Sequence, residues 1–334
     1  MLRIEARNLW RAWGKLLLGG TPLLSIEVTR ACPLRCPGCY ARLEGHAGVP
    51  GAVEERRGDE LVAGVLALVA AHNPLHVSLV GGEPLLRRRE LDVLLPRLSE
   101  LGVATMVVTS GVFPIPATWN AIPRTVIVVS VDGLPADHDR RRAPATYDRI
   151  LRNISGRRVN VHWTVVGAAA PQDGYFTKYL DFWSGVHEVQ QVMLSTYTPQ
   201  RGERTPEMLT PDDRRALAER LPALRRRYPK LLMSDEIAAA YLAPPPAPER
   251  CLFARMSRAY TSDLATEISP CIIGGHPDCA TCGCAVAMAL QGIAATHIKG
   301  PLRVGHLVAL TTSIAGAVNR ARGHVGARPD GRLD

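Results

Sequence analysis

The chain has 334 residues, of which 46% are hydrophobic and 21% are charged. This length and this balance exclude a disordered chain and allow one large α/β domain with a smaller appendage. No run of about eighteen uninterrupted apolar residues occurs, so we expect no membrane span. The formal net charge is +9, but the arginine runs at 87–89, 140–142 and 225–227 have no aromatic interleaving and no nucleic-acid motif. We therefore predict a globular protein that binds no nucleic acid.

The eight cysteines fall into two groups, three at 32–39 and five at 251–284. Disulfide scaffolds are short and spread their cysteines more evenly along the chain. Grouped cysteines in a long chain indicate metal ligands in a reducing compartment, which predicts a cytoplasmic protein.

The first twenty residues have the pattern of an amphipathic helix that ends at Gly19 and Gly20. Its apolar side carries Leu and Trp residues, and basic residues lie among the rest. We favour a helix docked on the main domain, because docking requires the same apolar face. The alternative is a peripheral membrane contact through residues 1–18, since basic residues with Trp and Leu are typical of interfacial helices.

From residue 23 onward, strand and helix patterns alternate. The predicted strands are residues 24–28, 75–80, 104–109, 125–130, 160–166 and 189–195. The predicted helices are residues 59–71, 90–101, a weak one at 117–122, then 146–154, 175–183 and 211–228. This alternation predicts a parallel sheet with right-handed crossovers, and six units are too few for a closed barrel of eight strands. Ligands of such sheets lie at the carboxyl ends of the strands.

Three cysteines at spacing C-x3-C-x2-C come directly after the first predicted strand: Cys32, Cys36 and Cys39. Thiolates hold iron–sulfur clusters, usually four of them, and here the loop supplies three with no fourth cysteine nearby. A four-iron cluster held by three cysteines keeps one iron open, as a catalytic metal site does. The alternatives are a zinc site or a redox-active thiol pair.

This motif, followed by the aromatic Tyr40, resembles the loop of the radical S-adenosylmethionine (SAM) superfamily. The resemblance implies a partial (β/α)6 TIM-like barrel in which Cys32, Cys36 and Cys39 hold a catalytic 4Fe-4S cluster. It also implies that SAM binds the open iron and is cleaved to a 5′-deoxyadenosyl radical. A flavodoxin- or ferredoxin-type protein is the electron donor that the resemblance implies.

The second strand runs into Gly81, Gly82, Glu83 and Pro84, which resemble the GGE motif that binds the SAM amino group. The further cofactor-binding candidates follow later strands, namely Ser110, Ser130, Asp132, Arg142 and Thr164. By the resemblance, Arg142 pairs with the SAM carboxylate, a contact that suits the guanidinium fork. The Thr164 hydroxyl reaches the nucleoside, and His162 on the same strand faces the core or the substrate.

A Pro-rich run at 243–248 precedes the second cysteine group: Cys251, Cys271, Cys279, Cys282 and Cys284. Spacing alone fits a structural zinc site equally well. The resemblance favours one auxiliary 4Fe-4S cluster in a shortened SPASM/Twitch-like domain. We favour the first four cysteines as its ligands, with Cys284 as the alternate.

The layout also resembles that of the hopanoid-type radical SAM adenosyl transferases, above all in the segment 130–151. It departs from that family at the last cysteines, which are spaced C-x2-C-x-C rather than C-x2-C-x3-C. The predicted organisation is an N-terminal helix at 1–20, a radical SAM barrel at 21–235, an auxiliary cluster domain at 236–300, and a C-terminal helix with a flexible tail at 301–334. Within the last part the helix pattern covers 301–321.

The expected activity is hydrogen abstraction from, or radical addition to, a small-molecule or lipid/isoprenoid substrate. A maturase of a ribosomal peptide is the alternative, and the roughly twenty residues before the first strand leave no room for a leader-binding domain of the kind such enzymes often carry. A non-catalytic metal-binding barrel is the third interpretation.

Overall fold

The computed structural model describes residues 21–41, 53–169, 174–299 and 302–306, together with residues 14 and 172. The helix predicted at 1–20 and most of the segment 301–334 therefore lie outside the described residues. Of the helix predicted at 301–321, the structure describes 302–306 only, and there Leu302–Arg303 is a strand and residues 304–306 are helical. No helix of the described segments is long and apolar enough to cross a membrane.

Seven parallel strands form one open sheet in the order β6-β5-β4-β3-β2-β1-β7. They are β1 Leu23–Glu27, β2 His76–Val80, β3 Ala104–Thr109, β4 Thr125–Ser130, β5 Val159–Val165, β6 Val189–Thr196 and β7 Ser257–Tyr260. The first six are the predicted strands, each within one residue at either end. The open parallel sheet confirms the predicted α/β class and the partial barrel.

Helices connect the strands and cover the sheet. They are α1 Gly58–His72, α2 Arg88–Glu100, α3 Pro135–Arg142, α4 Tyr147–Ile154, α5 Tyr175–Gly185, α6 Pro211–Arg227, α7 Asp235–Ala240, α8 Leu252–Met256 and α9 Ala285–Ala295. Short 3-10 helices lie at Pro84–Arg87, Ala117–Ala121, Pro248–Arg250 and Cys279–Thr281, so the weak helix predicted at 117–122 is a 3-10 turn. An antiparallel pair, β8 His297–Lys299 and β9 Leu302–Arg303, follows α9.

The core lies between the sheet and its helices. In β5, residues alternate between buried and half-buried, so every second side chain points at the helices and the others point into the barrel. Trp163 is fully buried on the helix side and stacks on Tyr179 of α5 with ring centroids 3.9 Å apart. This alternation leaves the other face of each strand free to line a cavity.

Strand β7 was not predicted, and it pairs in parallel with β1 from Leu23 to Ile26. It belongs to the segment 236–300, for which the sequence predicts a separate cysteine-rich domain. The C-terminal cysteines are therefore attached to the same sheet as the N-terminal cysteine loop. The domain boundaries stay a prediction.

Candidate active site between two cysteine loops

The N-terminal cysteine loop is held by the glycines that end β2. Gly82 N donates to Thr29 O at 2.7 Å, and Glu83 N donates to Ala31 O at 2.9 Å. A Cβ atom on Gly82 would lie 2.5 Å from Arg30 O, which no real side chain tolerates. Gly81 has φ +139°, in the region that favours glycine. These two glycines are thus required for the backbone of β2 to approach the start of the cysteine loop.

Glu83 is fully buried, and its carboxylate joins the end of β2 to the end of β3. It accepts hydrogen bonds from Leu85 N at 3.0 Å, Thr109 Oγ1 at 2.6 Å, and Ser110 N and Oγ at 2.9 and 2.5 Å. These four bonds occupy the roughly four lone-pair sites of a carboxylate. Ser110 thus donates to Glu83 in this structure. The role of both residues in binding SAM stays a prediction.

A cavity of about 1490 Å³ lies inside the partial barrel. Eight of the residues selected or noted in the barrel segment 21–235 lie in its wall: Cys36, Cys39, Tyr40, Ser130, Asp132, Arg142, His162 and Thr164. Six other candidates are not in its wall: Cys32, Gly81, Gly82, Glu83, Pro84 and Ser110. Cys32 is exposed, and its Sγ accepts a hydrogen bond from Leu34 N at 3.4 Å. The structure thus brings the candidates after β4 and β5 to the second and third cysteines of the loop.

Asp132 is the centre of the charged end of this cavity. Its Oδ2 atom binds Arg142 Nε at 2.6 Å and Arg141 Nε at 3.2 Å, and its Oδ1 atom accepts from Thr164 N at 3.2 Å. Burial raises the pKa of Asp132, but the two guanidinium groups outweigh this effect and bring the pKa down to about 2. Arg141 also pairs with Glu207, so it is held from two sides. The sequence reasoning did not single out Arg141 or Glu207.

Two histidines lie near the charged end of the cavity, His138 in the protein interior and His162 in the cavity wall. His138 is fully buried; its Nδ1 atom accepts from Asp132 N at 3.0 Å, and its Nε2 atom donates to Ala145 O at 2.7 Å. Both ring nitrogens are used, so His138 fixes the loop that carries Asp132. His162 lines the cavity, and its Nε2 atom is hydrogen-bonded to Ser195 Oγ at 2.8 Å.

Stability is expected to fall when the pH drops from about 6.5 to about 4. Burial lowers the pKa values of His76, His138 and His162 from 6.5 to about 4 in the folded protein. A histidine with a lowered folded pKa binds fewer protons than its unfolded form in this window, so acid favours unfolding. A pKa shift of one unit corresponds to about 1.4 kcal/mol. Each histidine is therefore expected to lower the free energy of unfolding by on the order of 3 kcal/mol over this pH range. Urea unfolding at a series of pH values tests this, and a free energy of unfolding that stays constant from pH 7 to 4.5 would contradict it.

The five C-terminal cysteines line a second cavity of about 440 Å³. Its other walls are mostly apolar, with Pro245, Pro248 and Phe253 among them. Burial raises the pKa of Cys271 to about 12 and that of Cys279 to about 11. A coordinating metal favours the thiolate form of such a group. In the part of the chain that the structure describes, no three His, Cys, Asp or Glu side chains converge to hold a single metal ion.

Cys284 lines both cavities and therefore lies in the wall between them. It is the residue before α9, the helix whose first N–H group, that of Ala285, donates to Ser195 Oγ at 2.9 Å. Because Ser195 also binds His162, two hydrogen bonds connect the residue that follows Cys284 to the wall of the barrel cavity.

The carboxyl end of β6 contacts both cysteine loops. Tyr197 packs on Gly38 of the N-terminal loop, where a Cβ atom would lie 2.7 Å from the ring. On the C-terminal loop, Thr196 N donates to Gly283 O at 3.0 Å, and Gly283 N donates to Thr198 Oγ1 at 3.0 Å. The sequence assigns no specific role to this segment. The glycine inside each cysteine motif was the available signal for a close contact.

Residues 26–162 match the family model described as the radical SAM superfamily. This match covers β1 to β5, the N-terminal cysteine loop and the charged end of the cavity. The chain contains a radical SAM domain. A 4Fe-4S cluster and SAM are the cofactors characteristic of this domain.

Curated relatives of the radical SAM domain include two enzymes. The 7-carboxy-7-deazaguanine synthase of Hyperthermus butylicus is 36% identical over 106 residues, which is 31% of this chain and 41% of that protein. The PqqA peptide cyclase of Rhizobium meliloti is 38% identical over 96 residues, which is 29% of this chain and 24% of the relative. The chain thus spans less than half the length of these relatives.

Two solved structures share the fold. SuiB of Streptococcus suis, bound to its precursor peptide SuiA, gives a TM-score of 0.58 at 16% identity, over 80% of this chain and 63% of SuiB. The anSMEcpe structure with bound AdoMet gives a TM-score of 0.56 at 16% identity, over 91% of this chain and 83% of the other. The likeness extends beyond the barrel, into the part of the chain that carries the second cysteine group.

Proposed function

We propose that this protein is a radical SAM enzyme that acts on an uncharged, hydrocarbon-rich substrate inside the barrel. The cofactors supply a 5′-deoxyadenosyl radical, which abstracts hydrogen from the substrate or adds to it. The observation that carries the proposal is the convergence of Cys36, Cys39 and the Asp132–Arg142 pair on one large cavity. Cys32, although exposed, completes the set of three thiolates on the same loop.

The residues of the charged end suit the binding of SAM. Arg142 uses its Nε atom for Asp132, which leaves the two terminal nitrogens of the guanidinium for a ligand carboxylate. Asp132 and the backbone N–H of Thr164 fix one another, so the Thr164 side chain is held at the cavity wall. Tyr40 closes the wall next to Cys39. These roles follow the resemblance residue by residue.

The deeper cavity favours a substrate group without charge. Its accessible lining is mostly apolar and includes Met106, Val108, Val128, Met193 and Val286. The charged residues in the lining, Asp132, Arg141 and Arg142, pair with one another at the SAM end. An anionic or cationic group in the deeper part would thus lack a counter-ion, which is costly in a buried site.

Two pairs of polar side chains in the cavity wall are hydrogen-bonded to each other. His76 Nε2 is hydrogen-bonded to Ser78 Oγ at 3.0 Å, and His162 is bonded to Ser195. Both histidines are neutral at pH 7, since burial lowers their pKa values to about 4. Each peptide unit would bring one donor and one acceptor that need partners. A lipid or isoprenoid chain brings none, so it fits this lining better than a peptide backbone.

A peptide maturase is the second candidate, and the comparisons favour it. One relative is a PqqA peptide cyclase, and one structural neighbour holds a precursor peptide. A peptide would enter this cavity with an apolar side chain while its backbone stays at the mouth. In both candidate functions the group that reacts is apolar and uncharged. The candidates differ in whether this group belongs to a lipid or to a peptide.

An auxiliary 4Fe-4S cluster at the second cysteine group is part of the proposal. A zinc ion needs four ligands within about 2.3 Å of one point, whereas a four-iron cluster is bound by thiolates at separate irons. The five cysteines that line one small cavity supply enough thiolates for one such cluster. Cys251, Cys271, Cys279 and Cys282 line only the smaller cavity and are the preferred ligands, while Cys284 faces both cavities.

Anaerobic assays with reduced protein test both parts of the proposal. A flavodoxin or ferredoxin, or dithionite in its place, supplies the electron, and 5′-deoxyadenosine and adenosylated products are measured. The native protein is expected to cleave SAM slowly, and isoprenoid alcohols are expected to accelerate this cleavage. Val286→Asp, which puts a charge into the cavity wall, is expected to abolish the acceleration and to retain the slow cleavage.

The matched control is Val93→Asp, because Val93 is 42% exposed on the outer face of α2. It is expected to behave like the native protein. Formation of neither 5′-deoxyadenosine nor an adenosylated product would overturn the enzymatic function. Acceleration by apolar peptides and by no lipid would establish the second candidate instead.

A further inference from the structure

Arg214 of α6 connects the helical layer to the C-terminal cysteine loop. Its Nη1 atom donates to Cys282 O at 3.0 Å, and its Nη2 atom donates to Thr281 O and to Thr196 Oγ1, the latter at 3.3 Å. One guanidinium thus holds two consecutive carbonyls of the loop and the end of β6. The fork geometry of arginine suits such a set of divergent acceptors.

The charge of Arg214 has no carboxylate partner among the described residues, although the side chain is mostly buried. Other shielded arginines of this chain do have one: Arg87 binds Glu55 at 2.6 Å, and Arg142 binds Asp132 at 2.6 Å. Asp278 interacts electrostatically with Arg214, but its carboxylate caps the turn at Ala280 instead of pairing with it. A shielded cation without a counter-ion is costly unless an anion lies close by.

The thiol groups of the second cavity are the source of such an anion. The hydrogen bond from Arg214 Nη1 to the carbonyl oxygen of Cys282 holds the guanidinium beside one of these cysteines. Four thiolates outweigh the positive charge of a four-iron core, so a bound cluster is net negative. Its charge becomes more negative when the cluster is reduced by one electron.

We infer that Arg214 is the counter-charge of the auxiliary cluster and positions its Cys282 ligand. The inference rests on the proposed cluster at the second cysteine group. The potentials of iron–sulfur clusters depend on net charge and on nearby dipoles. A guanidinium beside Cys282 stabilises the reduced state and therefore raises the midpoint potential of the cluster.

The test uses the full chain with Cys32→Ala, Cys36→Ala and Cys39→Ala, so that only the C-terminal cluster contributes. Arg214→Gln and Arg214→Lys are compared in this background by redox titration and by the rate of iron loss to a chelator. The glutamine variant is expected to shift the midpoint potential to more negative values. The lysine variant is expected to have a midpoint potential close to that of the parent protein, because an ammonium group replaces the positive charge. It is expected to lose iron faster, because an ammonium group cannot replace the forked hydrogen bonds of the guanidinium.

Arg225→Gln is the matched control. Arg225 lies on the same helix and donates from Nε to a carbonyl, Met233 O, at 3.2 Å, away from the cysteines. It is expected to leave the midpoint unchanged. The inference would be overturned if Arg214→Gln had the same midpoint potential as the parent protein. The proposed cluster itself would then still stand.

Absence of iron in the parent protein would overturn the proposed cluster together with this inference, so the two failures are distinguishable. If Arg214→Gln binds no iron, Arg214→Lys distinguishes a role of the positive charge from positioning of the loop alone. Iron and the parent midpoint in Arg214→Lys would support a charge role, and loss of iron in both variants would overturn it in favour of loop positioning alone.

Discussion

Replacing Cys32, Cys36 and Cys39 together by alanine is expected to reduce the iron content of the anaerobically reconstituted protein from about eight to about four atoms per chain. The three thiolates come from one loop, and Cys36 and Cys39 line the SAM end of the large cavity. The second group lies in a separate cavity and keeps its own ligands. Iron and labile sulfide per chain, measured before and after the substitution, check this result, and SAM cleavage should disappear with the first cluster.

Cys271→Ala with Cys282→Ala is the reciprocal variant, and it should lose the other four irons while retaining those of the N-terminal loop. About four irons in the native protein that fall to none in the triple variant would mean that the C-terminal cysteines hold zinc or nothing. About eight irons that persist in the triple variant would contradict the assignment of Cys32, Cys36 and Cys39.

Gly82→Ala is expected to destabilise the protein by about 3 kcal/mol or more and to impair iron binding at the N-terminal loop. A Cβ atom at position 82 would clash with backbone atoms only, namely the carbonyl groups of Arg30 and Ala31. Overpacking commonly costs about 1–3 kcal/mol of stability when the neighbouring atoms can move. Here the neighbour is the backbone that leads into Cys32, so relief of the clash displaces the first cysteine. Urea unfolding of the metal-free protein and iron content after reconstitution measure the two effects.

Gly185→Ala provides the control, because it ends α5 and a Cβ atom there has nothing within 4 Å. Its free energy of unfolding and its iron content should match those of the native protein. Native-like stability and a full first cluster in Gly82→Ala would mean that the end of β2 does not support the cysteine loop.

The six strands of the barrel could be predicted because each has an apolar run followed by a helix pattern. The same reasoning placed Asp132 just after β4, since parallel strands deliver their carboxyl ends to one edge, and Arg142 in the connection that follows. β7 could not be predicted, because Ser-Arg-Ala-Tyr carries no apolar run and becomes a strand only by pairing with β1. Strand propensity in such a segment depends on its neighbours.

Glu83 and Arg214 show where sequence reasoning reaches its limit. The motif identified Glu83 as a functional residue, but its four hydrogen-bond donors come from its own turn and from β3, which only the folded sheet brings together. Arg214 is one arginine among many in a surface helix, and its partners Thr281 and Cys282 lie far away in the chain. The sequence contains no local pattern that reports such a distant contact.

The position of β7 beside β1 has a consequence for the order of assembly during synthesis. Among the described strands β1 is synthesised first, yet one of its edges stays bare until residues 257–260 have been made. Bare strand edges invite pairing with other chains, and contacts between distant residues form slowly. The sheet that supports the first cysteine loop is therefore complete only after Cys251 has been made. A cluster inserted into the nascent barrel would meet a cysteine loop whose supporting sheet is still incomplete. We therefore expect loading of both sites to follow release of the full chain.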